Sequence, residues 1–595
     1  MRIEKDQMLS YFEWLIFNFG LLQGAIVAVA LSLLGFVVCY LVSMARYGPS
    51  EAFFHVTRVI YELLARDLPG TSIRRVYALA RLAFQEAIRR RVLVIMAVFI
   101  AVLLFAGWFL DPAADNIAQL YISFVMTGTS YLILLLGLFL SCFSIPADMK
   151  SKTIQTITTK PVRSTEIVLG RIFGFTAVGT VLLVSMGVLS YVFVIRGIEH
   201  RHESGDIASD GMSGETSYDA SHAHSFEMSG DEGTTDEQKG HRHLVTRTGD
   251  GQYVIGSPEG LLNARIPVYG RLAFTDRGGN PGIGLNVGYE DEYQKYIEGT
   301  SLMSAIWTFS NVQPSRFGGG DTLPIEMSLQ AFRTLKGDIV TGVQGAIILK
   351  HTNGRVESER IPFIVKEFSV DQKEIPRKLS GSRDGEPVEL DIFDDIVDED
   401  GKLEIHVRCT DPGQYLGMSA ADLYLRAGDS TFGWNMFKGF LGIWMQMFLI
   451  ICLGVMFSTF LSGPVAMVAT MTCLVLGFFG SLAFDVATGD TPGGGPIESL
   501  IRIPTQQGAM VDLDLGNPVL EKTIKIVDNG IMYTLFSVFK AIPSFGQFNT
   551  SDYVAYGFDI FSGLVARHLT MTIAYFILTS VIAYFFLKTR EIAAA

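Results

Sequence analysis

Charged residues are scarce in this chain of 595 residues. Asp, Glu, Lys and Arg make up 18% of it, whereas 49% of the residues are hydrophobic and the mean hydropathy is +0.33. This balance predicts that a lipid bilayer is the solvent for much of the chain. The formal net charge of −13 argues against a nucleic-acid partner, which would attract a basic protein.

Cysteine is also scarce, with five residues in the whole sequence. Four of them lie in apolar runs, and Cys409 stands alone in a polar region. Since no second cysteine is available there, we expect no intrachain disulfide framework.

A nucleotide-binding motif is missing altogether. No G-x-x-x-x-G-K-[ST] sequence occurs, and the polar segments assigned below to the cytoplasm are too short for a nucleotide-binding domain. We therefore expect no enzymatic activity and no cofactor in this chain.

Long apolar runs predict seven membrane spans, at about 22–44, 92–110, 120–145, 167–195, 437–461, 465–484 and 569–587. The first run lies where a secretory signal would lie. However, Glu4, Asp6 and Glu13 precede it and the run is long, so we interpret it as a retained helix.

The distribution of basic residues predicts the topology. Segment 46–91 has nine Arg and no Lys, and the polar break 146–166 is also basic, which places both in the cytoplasm by the positive-inside rule. The N-terminus is then outside and the C-terminus cytoplasmic. Within the first segment, 78–91 has helical periodicity and a basic face, which predicts a helix on an anionic membrane surface. Its surface residues are Arg81, Arg89, Arg90 and Arg91.

A large polar insert separates the third and fourth of the last six spans. Its first part, 197–243, is rich in Ser, Gly and acidic residues, which predicts a disordered linker. Six of the ten histidines lie there, and His222, His224, His241 and His243 are weak candidates for binding zinc, copper or nickel. We favour a solvated linker with incidental histidines, because a disordered tract holds no fixed coordination geometry.

The second part of the insert, 244–435, alternates short apolar strands with turn sequences such as Thr352-Asn353-Gly354 and Asp400-Gly401. This pattern predicts an all-β, sandwich-like extracytoplasmic domain. No nucleophile–base pair or close carboxylate pair stands out in it.

Three stretches resemble type-2 ABC transporter permeases, especially the branch of nitrous-oxide-reductase maturation and gliding-motility permeases. They are the surface helix 78–91, the break from Pro146-Ala147-Asp148 through Lys160-Pro161-Val162-Arg163 to Glu166-Ile167-Val168-Leu169-Gly170-Arg171, and the C-terminal part from Ile542-Pro543-Ser544 to Lys588-Thr589-Arg590-Glu591. In that family the break contains a coupling helix that docks on the ATPase. The resemblance therefore implies docking contacts here at Asp148, Lys150, Lys152, Thr153, Lys160, Arg163 and Glu166.

The resemblance implies a polytopic α-helical protein of the bacterial inner membrane, with six of about seven spans forming a permease core. It also implies a separate ABC ATPase partner, which would bind the ATP, and a permease homo- or heterodimer. The predicted segments are an extra N-terminal helix (1–45), cytoplasmic helices (46–91), three core helices (92–196), the linker (197–243), the β domain (244–435), core helices four and five (436–487), an outer segment with interfacial helices (488–565) and the last span with its tail (566–595).

The chain departs from the family in its extra N-terminal span and in its large insert. Two alternatives therefore stay open. In the first, the protein is a membrane-anchored scaffold, receptor or mechanotransmission component whose β domain binds an extracytoplasmic protein. In the second, the histidine tract handles metal ions. Charged residues near span ends, such as Arg171, Lys438 and Arg567, are interpreted as snorkelling side chains.

Overall fold

The computed structural model describes residues 11–17, 20–89, 93–106, 110, 114, 116–152, 161–209, 211–236, 238–249, 252–287, 295–317, 321–334, 342–366, 371–479, 494–508 and 513–589. Its helices are α1 (Gly20–Tyr47), α2 (Pro49–Glu62), α3 (Ile73–Arg89), α4 (Leu93–Leu104), α5 (Ile117–Lys150), α6 (Ser164–Ile198), α7 (Phe432–Ser458), α8 (Gly463–Phe478), α9 (Pro496–Thr505), α10 (Pro518–Ala541), α11 (Ser551–Ala555) and α12 (Ser562–Thr589). Short π-helical or 3₁₀ turns lie at Glu13–Phe17, Leu63–Asp67, Pro314–Arg316, Ile392–Ile396 and Ala420–Asp422.

Four of the described helices, α5, α6, α7 and α12, are long and apolar enough to cross a bilayer. Helices α4 and α8 are apolar but shorter. Four of the described helices therefore support the membrane character expected from hydropathy. The seven-span permease core stays a prediction.

The polar break is shorter than its sequence indicates. The prediction began it at residue 146, but α5 continues through Pro146 to Lys150. Proline removes only one backbone donor, and apolar helices that pack against neighbours tolerate this loss. The helix ends where Lys152 adopts a positive φ of 59°, and α6 begins at Ser164. The connection is thus 151–163.

Helix α3 packs closely on α6 through two glycines. A Cβ built on Gly170 would lie 2.5 Å from Leu79 Cβ, and one on Gly174 would lie 2.6 Å from the Ala80 carbonyl oxygen. The missing side chains let the two backbones approach each other. The predicted surface helix is therefore a helix, but one flank of it is packed against α6.

The predicted disordered linker is folded. Strands β1–β6 form one antiparallel sheet in chain order, which we call the histidine sheet. They are β1 (Ser204–Ile207), β2 (Ser213–Thr216), β3 (Ser225–Ser229), β4 (Glu232–Thr235), β5 (Arg242–Arg247) and β6 (Tyr253–Glu259). Their buried apolar cluster consists of Phe226, Met228, Val245 and Ile255. So small an apolar core explains why composition indicated disorder.

The second β-rich region runs from 265 to 429, so its start lies beyond the predicted residue 244. Its strands are β7 (Arg265–Tyr269), β8 (Arg271–Thr275), β9 (Pro281–Gly282), β10 (Lys295–Glu298), β11 (Ala305–Phe309), β12 (Thr322–Met327), β13 (Gln330–Arg333), β14 (Val343–Lys350), β15 (Val356–Ser358), β16 (Ile361–Val365), β17 (Asp371–Pro376), β18 (Lys378–Arg383), β19 (Glu386–Asp391), β20 (Leu403–Cys409), β21 (Gln414–Met418) and β22 (Leu423–Asp429).

These strands form three sheets around one apolar core. A nine-stranded sheet has the order β19-β18-β15-β14-β20-β11-β8-β9, with β16 also paired to β14. The smaller sheets are β17-β12-β22-β7 and β10-β21-β13. Trp307, Ile325 and Leu416, one from each sheet, belong to the same buried cluster. The alternating strand pattern therefore did indicate a β-rich region with its own interior.

Adding a methyl group at the contact between α3 and α6 tests this packing. Gly174→Ala should lower the apparent melting temperature, because the new Cβ forces the Ala80 backbone to move at a cost of about 1–3 kcal/mol. Gly128→Ala in α5 is the matched control, since a Cβ there meets nothing within 4 Å. Heating followed by size-exclusion chromatography of the detergent-purified protein measures both. Equal melting temperatures for the two variants would contradict the packing.

Candidate functional sites

Two exposed lysines lie where α5 ends and the 151–163 connection begins. Lys150 and Lys152 are exposed at the end of α5, as expected of docking residues. Thr153 and Lys160 lie outside the described residues. Arg163 is only partly exposed, because it donates to the Arg66 carbonyl and lies 3.7 Å from Asp67.

Asp148 occupies a different place from the one predicted. It is buried, and its carboxylate bonds the Arg171 guanidinium of α6. Arg171 also bonds Glu86 of α3, with Nη1 2.7 Å from Oε2. Arg171 is therefore a buried ion-pair partner of two helices and not a snorkelling side chain, and Asp148 presents no free surface to a docking protein.

Glu166 is buried as well. Its carboxylate accepts hydrogen bonds from Arg75 Nε, at 2.8 and 2.9 Å, and from the Ser72 amide at 2.8 Å. The Arg163 amide donates to the same carboxylate at 3.1 Å, which closes the first turn of α6. Glu166 thus fixes the start of α6 to the start of α3 and is not exposed for docking.

A third ionic contact joins the turn before α3 to the C-terminal end of α12. Tyr584 Oη donates to Asp67 at 2.7 Å, and Lys588 Nζ lies 3.0 Å from the same carboxylate. Burial raises the pKa of Asp67, but these two hydrogen bonds and the positive charges of Lys588 and Arg163 together outweigh burial and hold the pKa below its usual value. The carboxylate therefore stays ionised and attractive to Lys588.

The predicted membrane-surface arginines divide into two groups. Arg81 is exposed on α3, as a surface role requires. Arg90 and Arg91 lie outside the described residues, and so does the side chain of Arg89.

The second candidate site is a cluster of six histidines around the histidine sheet. His222, His224, His241 and His243 were weak candidates, and His200 and His202 join them. Five of the six are buried, and His200 is partly buried. His200 and His202 could have been found from a repeat in the sequence. A His-x-His motif occurs three times, at 200–202, 222–224 and 241–243.

A backbone carbonyl orients each imidazole through its Nδ1 atom. In the first histidine of each motif, Nδ1 bonds the carbonyl two residues earlier, and the acceptors are Ile198 at 3.0 Å, Ala220 at 3.0 Å and Lys239 at 3.5 Å. In the second histidine, Nδ1 bonds a carbonyl of the last strand of the hairpin or just beyond it, and the acceptors are Ser217 at 2.8 Å, Asp236 at 2.9 Å and Gly256, within β6, at 2.8 Å. Since a carbonyl only accepts, each Nδ1 carries the proton and each Nε2 carries a lone pair.

Those Nε2 atoms point at one another. His241 Nε2 lies 3.0 Å from that of His200, 3.1 Å from that of His222 and 3.3 Å from that of His224. The Nε2 atoms of His202 and His243 are buried without a hydrogen-bond partner among the described residues. Lone pairs that face each other at this distance repel unless a positive charge lies between them.

A proton is a poor candidate for that charge. Burial lowers the pKa of His241 to about 3 and that of His243 to about 4, and it also lowers the pKa values of His200, His222 and His224. These five imidazoles are therefore neutral near pH 7, which is the state in which histidine binds metals. The cluster can hold a cation by its chemistry, and its carbonyl partners resemble those that orient metal-binding histidines.

Comparison with known proteins adds no assignment. No family model, no curated protein and no solved structure matches this chain.

Removing the guanidinium of Arg171 tests the buried ion pairs. Arg171→Ala should lower the free energy of unfolding by about 3–5 kcal/mol, because it strips Asp148 and Glu86 of their shared cationic partner. Arg58→Ala is the control. It breaks the exposed i,i+4 pair with Glu62, which is worth about 0–1 kcal/mol. Thermal unfolding in detergent compares them, and similar losses for both would refute the structural role of Arg171.

Proposed function

We propose that this chain is the membrane-spanning subunit of an ABC-type, export-like transporter, energised by a separate ATPase that docks on the 151–163 connection. The observation that supports the proposal is how the two ends of this connection are attached to the neighbouring helices. At one end Asp148 of α5 pairs with Arg171 of α6, which also pairs with Glu86 of α3, and at the other end Glu166 of α6 pairs with Arg75 of α3.

A segment that transmits force must be rigidly attached to the helices that it moves. A partner that pushes on an exposed segment moves the helices only if the segment is fixed to them on both sides. Here the exposed Lys150 and Lys152 continue directly from α5, and Arg163 leads directly into α6. Motion of the connection would therefore be passed to two of the four long apolar helices.

The polar interior of the long helices favours transport over simple anchoring. Thr129, Ser190 and Gln446 are buried within α5, α6 and α7. Gln446 Nε2 donates to the Phe545 carbonyl at 2.8 Å, while its Oε1 has no partner among the described residues. A membrane anchor has no need of such groups, whereas a passage for a polar substrate uses them.

The second candidate is the membrane-anchored scaffold or mechanotransmission component. The size of the β-rich region, with its own apolar core, favours an extracytoplasmic binding role. In its mechanotransmission form this candidate keeps the ATPase and dispenses with substrate transport, so the test below separates the ATPase-driven forms from a scaffold without an ATPase.

Reversing two charges at the docking surface tests the proposal. We expect an ATPase subunit and vanadate-sensitive ATP hydrolysis to co-purify with the wild-type full-length protein, and the double variant Lys150→Glu, Lys152→Glu should lose both. The loss follows because both side chains are exposed at the start of the connection and would repel an acidic groove. A photo-crosslinker at position 152 should capture a chain that contains a Walker A motif.

Lys378→Glu in β18 is the matched control, because Lys378 is an equally exposed lysine of the β-rich region. It should leave co-purification and hydrolysis unchanged. If the double variant retained both, or if the crosslinked chain lacked a nucleotide-binding motif, the docking proposal would be refuted and the scaffold favoured.

A further inference from the structure

The histidine cluster is built by a threefold repeat. Each repeat consists of a His-x-His motif and an antiparallel hairpin, namely β1–β2, β3–β4 and β5–β6; the first two motifs precede their hairpins and the third overlaps the start of β5. Between repeats the register is kept by a threonine at the end of the preceding hairpin. Thr216 Oγ1 accepts from the His224 amide and Thr235 Oγ1 from the His243 amide, both at 2.8 Å. Three equivalent hairpins therefore present three equivalent pairs of imidazoles.

The imidazoles are arranged as the vertices of an octahedron. Nearly all pairs among the six rings pack edge to face, with centroids 4.7–5.2 Å apart. Among these described rings, the pairs that do not pack in this way are His200–His224, His222–His243 and His241–His202. Every histidine occurs once in this set, as opposite vertices of an octahedron must.

The opposite pairs follow the threefold repeat. In each pair the first histidine of one motif lies opposite the second histidine of the next motif, and the third repeat closes on the first. The three first histidines therefore form one triangular face, and the three second histidines form the other. Such a trigonal antiprism is the octahedral arrangement that a single chain with threefold repetition would produce.

The size of the octahedron fits a metal ion. Adjacent ligands in an octahedral complex are separated by √2 times the metal–ligand distance, so Nε2 separations of 3.0–3.3 Å place a common centre about 2.1–2.3 Å from each nitrogen. Ligand nitrogens of His200, His202, His222, His241 and His243 all lie within 4.8 Å of one another, close to twice that radius. Zinc–imidazole bonds, for comparison, are about 2.0–2.1 Å long.

We propose that the six histidines hold one divalent first-row transition-metal ion, coordinated octahedrally by their six Nε2 atoms. The ligand set selects the class of metal. Magnesium and calcium require oxygen ligands, and structural zinc prefers four ligands in a tetrahedron. Iron, cobalt and nickel accept six imidazole nitrogens, and among these three Ni²⁺ should bind most tightly by the Irving–Williams order.

The ion has a structural role in this site. All six coordination positions are filled by protein, so no position is left for water or substrate, which is the arrangement of structural and not of hydrolytic metal sites. Among the described residues, the buried apolar cluster of the histidine sheet consists of Phe226, Met228, Val245 and Ile255, with Tyr253 packed against it. The metal–imidazole bonds therefore take the place of a larger apolar core, and the free energy of binding contributes to folding.

The test uses the full-length protein in detergent, purified through an affinity tag that contains no histidine. After removal of bound metal with a chelator, Ni²⁺ or Co²⁺ alone is added, and elemental analysis should find one ion per chain. X-ray absorption should show six nitrogen neighbours with the scattering pattern of imidazole. Four-coordinate nitrogen or mixed oxygen coordination would overturn the octahedral site, and a wild-type protein that retains no metal would overturn the site entirely.

Single variants test the assignment of ligands. His222→Ala and His243→Ala, which remove one opposite pair, should each weaken metal binding by at least about tenfold. Both should also expose the 204–259 segment to limited proteolysis. His351→Ala is the control, because His351 lies in the β-rich region outside the cluster, and it should change neither measurement. Unaltered metal affinity in both ligand variants would refute the proposal, and the absorption measurement on the wild type does not depend on how the variants fold.

Discussion

A charged or polar group that is removed from water must find its partner inside the protein, and both parts of this molecule depend on that requirement. Among the helices, Arg171 meets Asp148 and Glu86, Glu166 meets Arg75, and these contacts hold the ends of three helices together. In the histidine sheet the backbone carbonyls satisfy one nitrogen of each imidazole. The other nitrogen is left facing its neighbours, and a cation satisfies all of them at once.

Hydropathy and strand alternation predicted the coarse architecture. The four long apolar helices and the β-rich region lie where runs of apolar residues and short alternating segments indicated them. The buried ion pairs were out of reach, because Glu86, Asp148 and Arg171 are far apart in the chain and a charge at the end of a span has the same sequence signature whether it snorkels or pairs. The prediction that the helix ends before Pro146 was wrong for a related reason. The free-energy cost of a proline inside a helix depends on the packing around that helix.

The histidine sheet shows the limit of composition as a guide. A segment with few apolar residues and many charges was predicted to be disordered because such segments cannot build an apolar core. That inference assumes that only apolar side chains can fill an interior. Here imidazoles are buried as well, while Phe226 and Val245 belong to the small apolar cluster of the same sheet. The repeated His-x-His motif was visible in the sequence, but only its placement on three hairpins makes it a site.

The threefold repeat also bears on how such a centre assembles. One hairpin carries a single adjacent pair of ligands, so three separate hairpins would have to meet at an ion simultaneously, a step that becomes vanishingly slow at low concentration. Joining them in one chain converts this encounter into a closure between neighbours already held at a high effective concentration. His200 lies two residues beyond the end of α6, which also ties one vertex of the octahedron to one of the long apolar helices. This helix thereby becomes part of the scaffold that pre-positions the first hairpin for the other two.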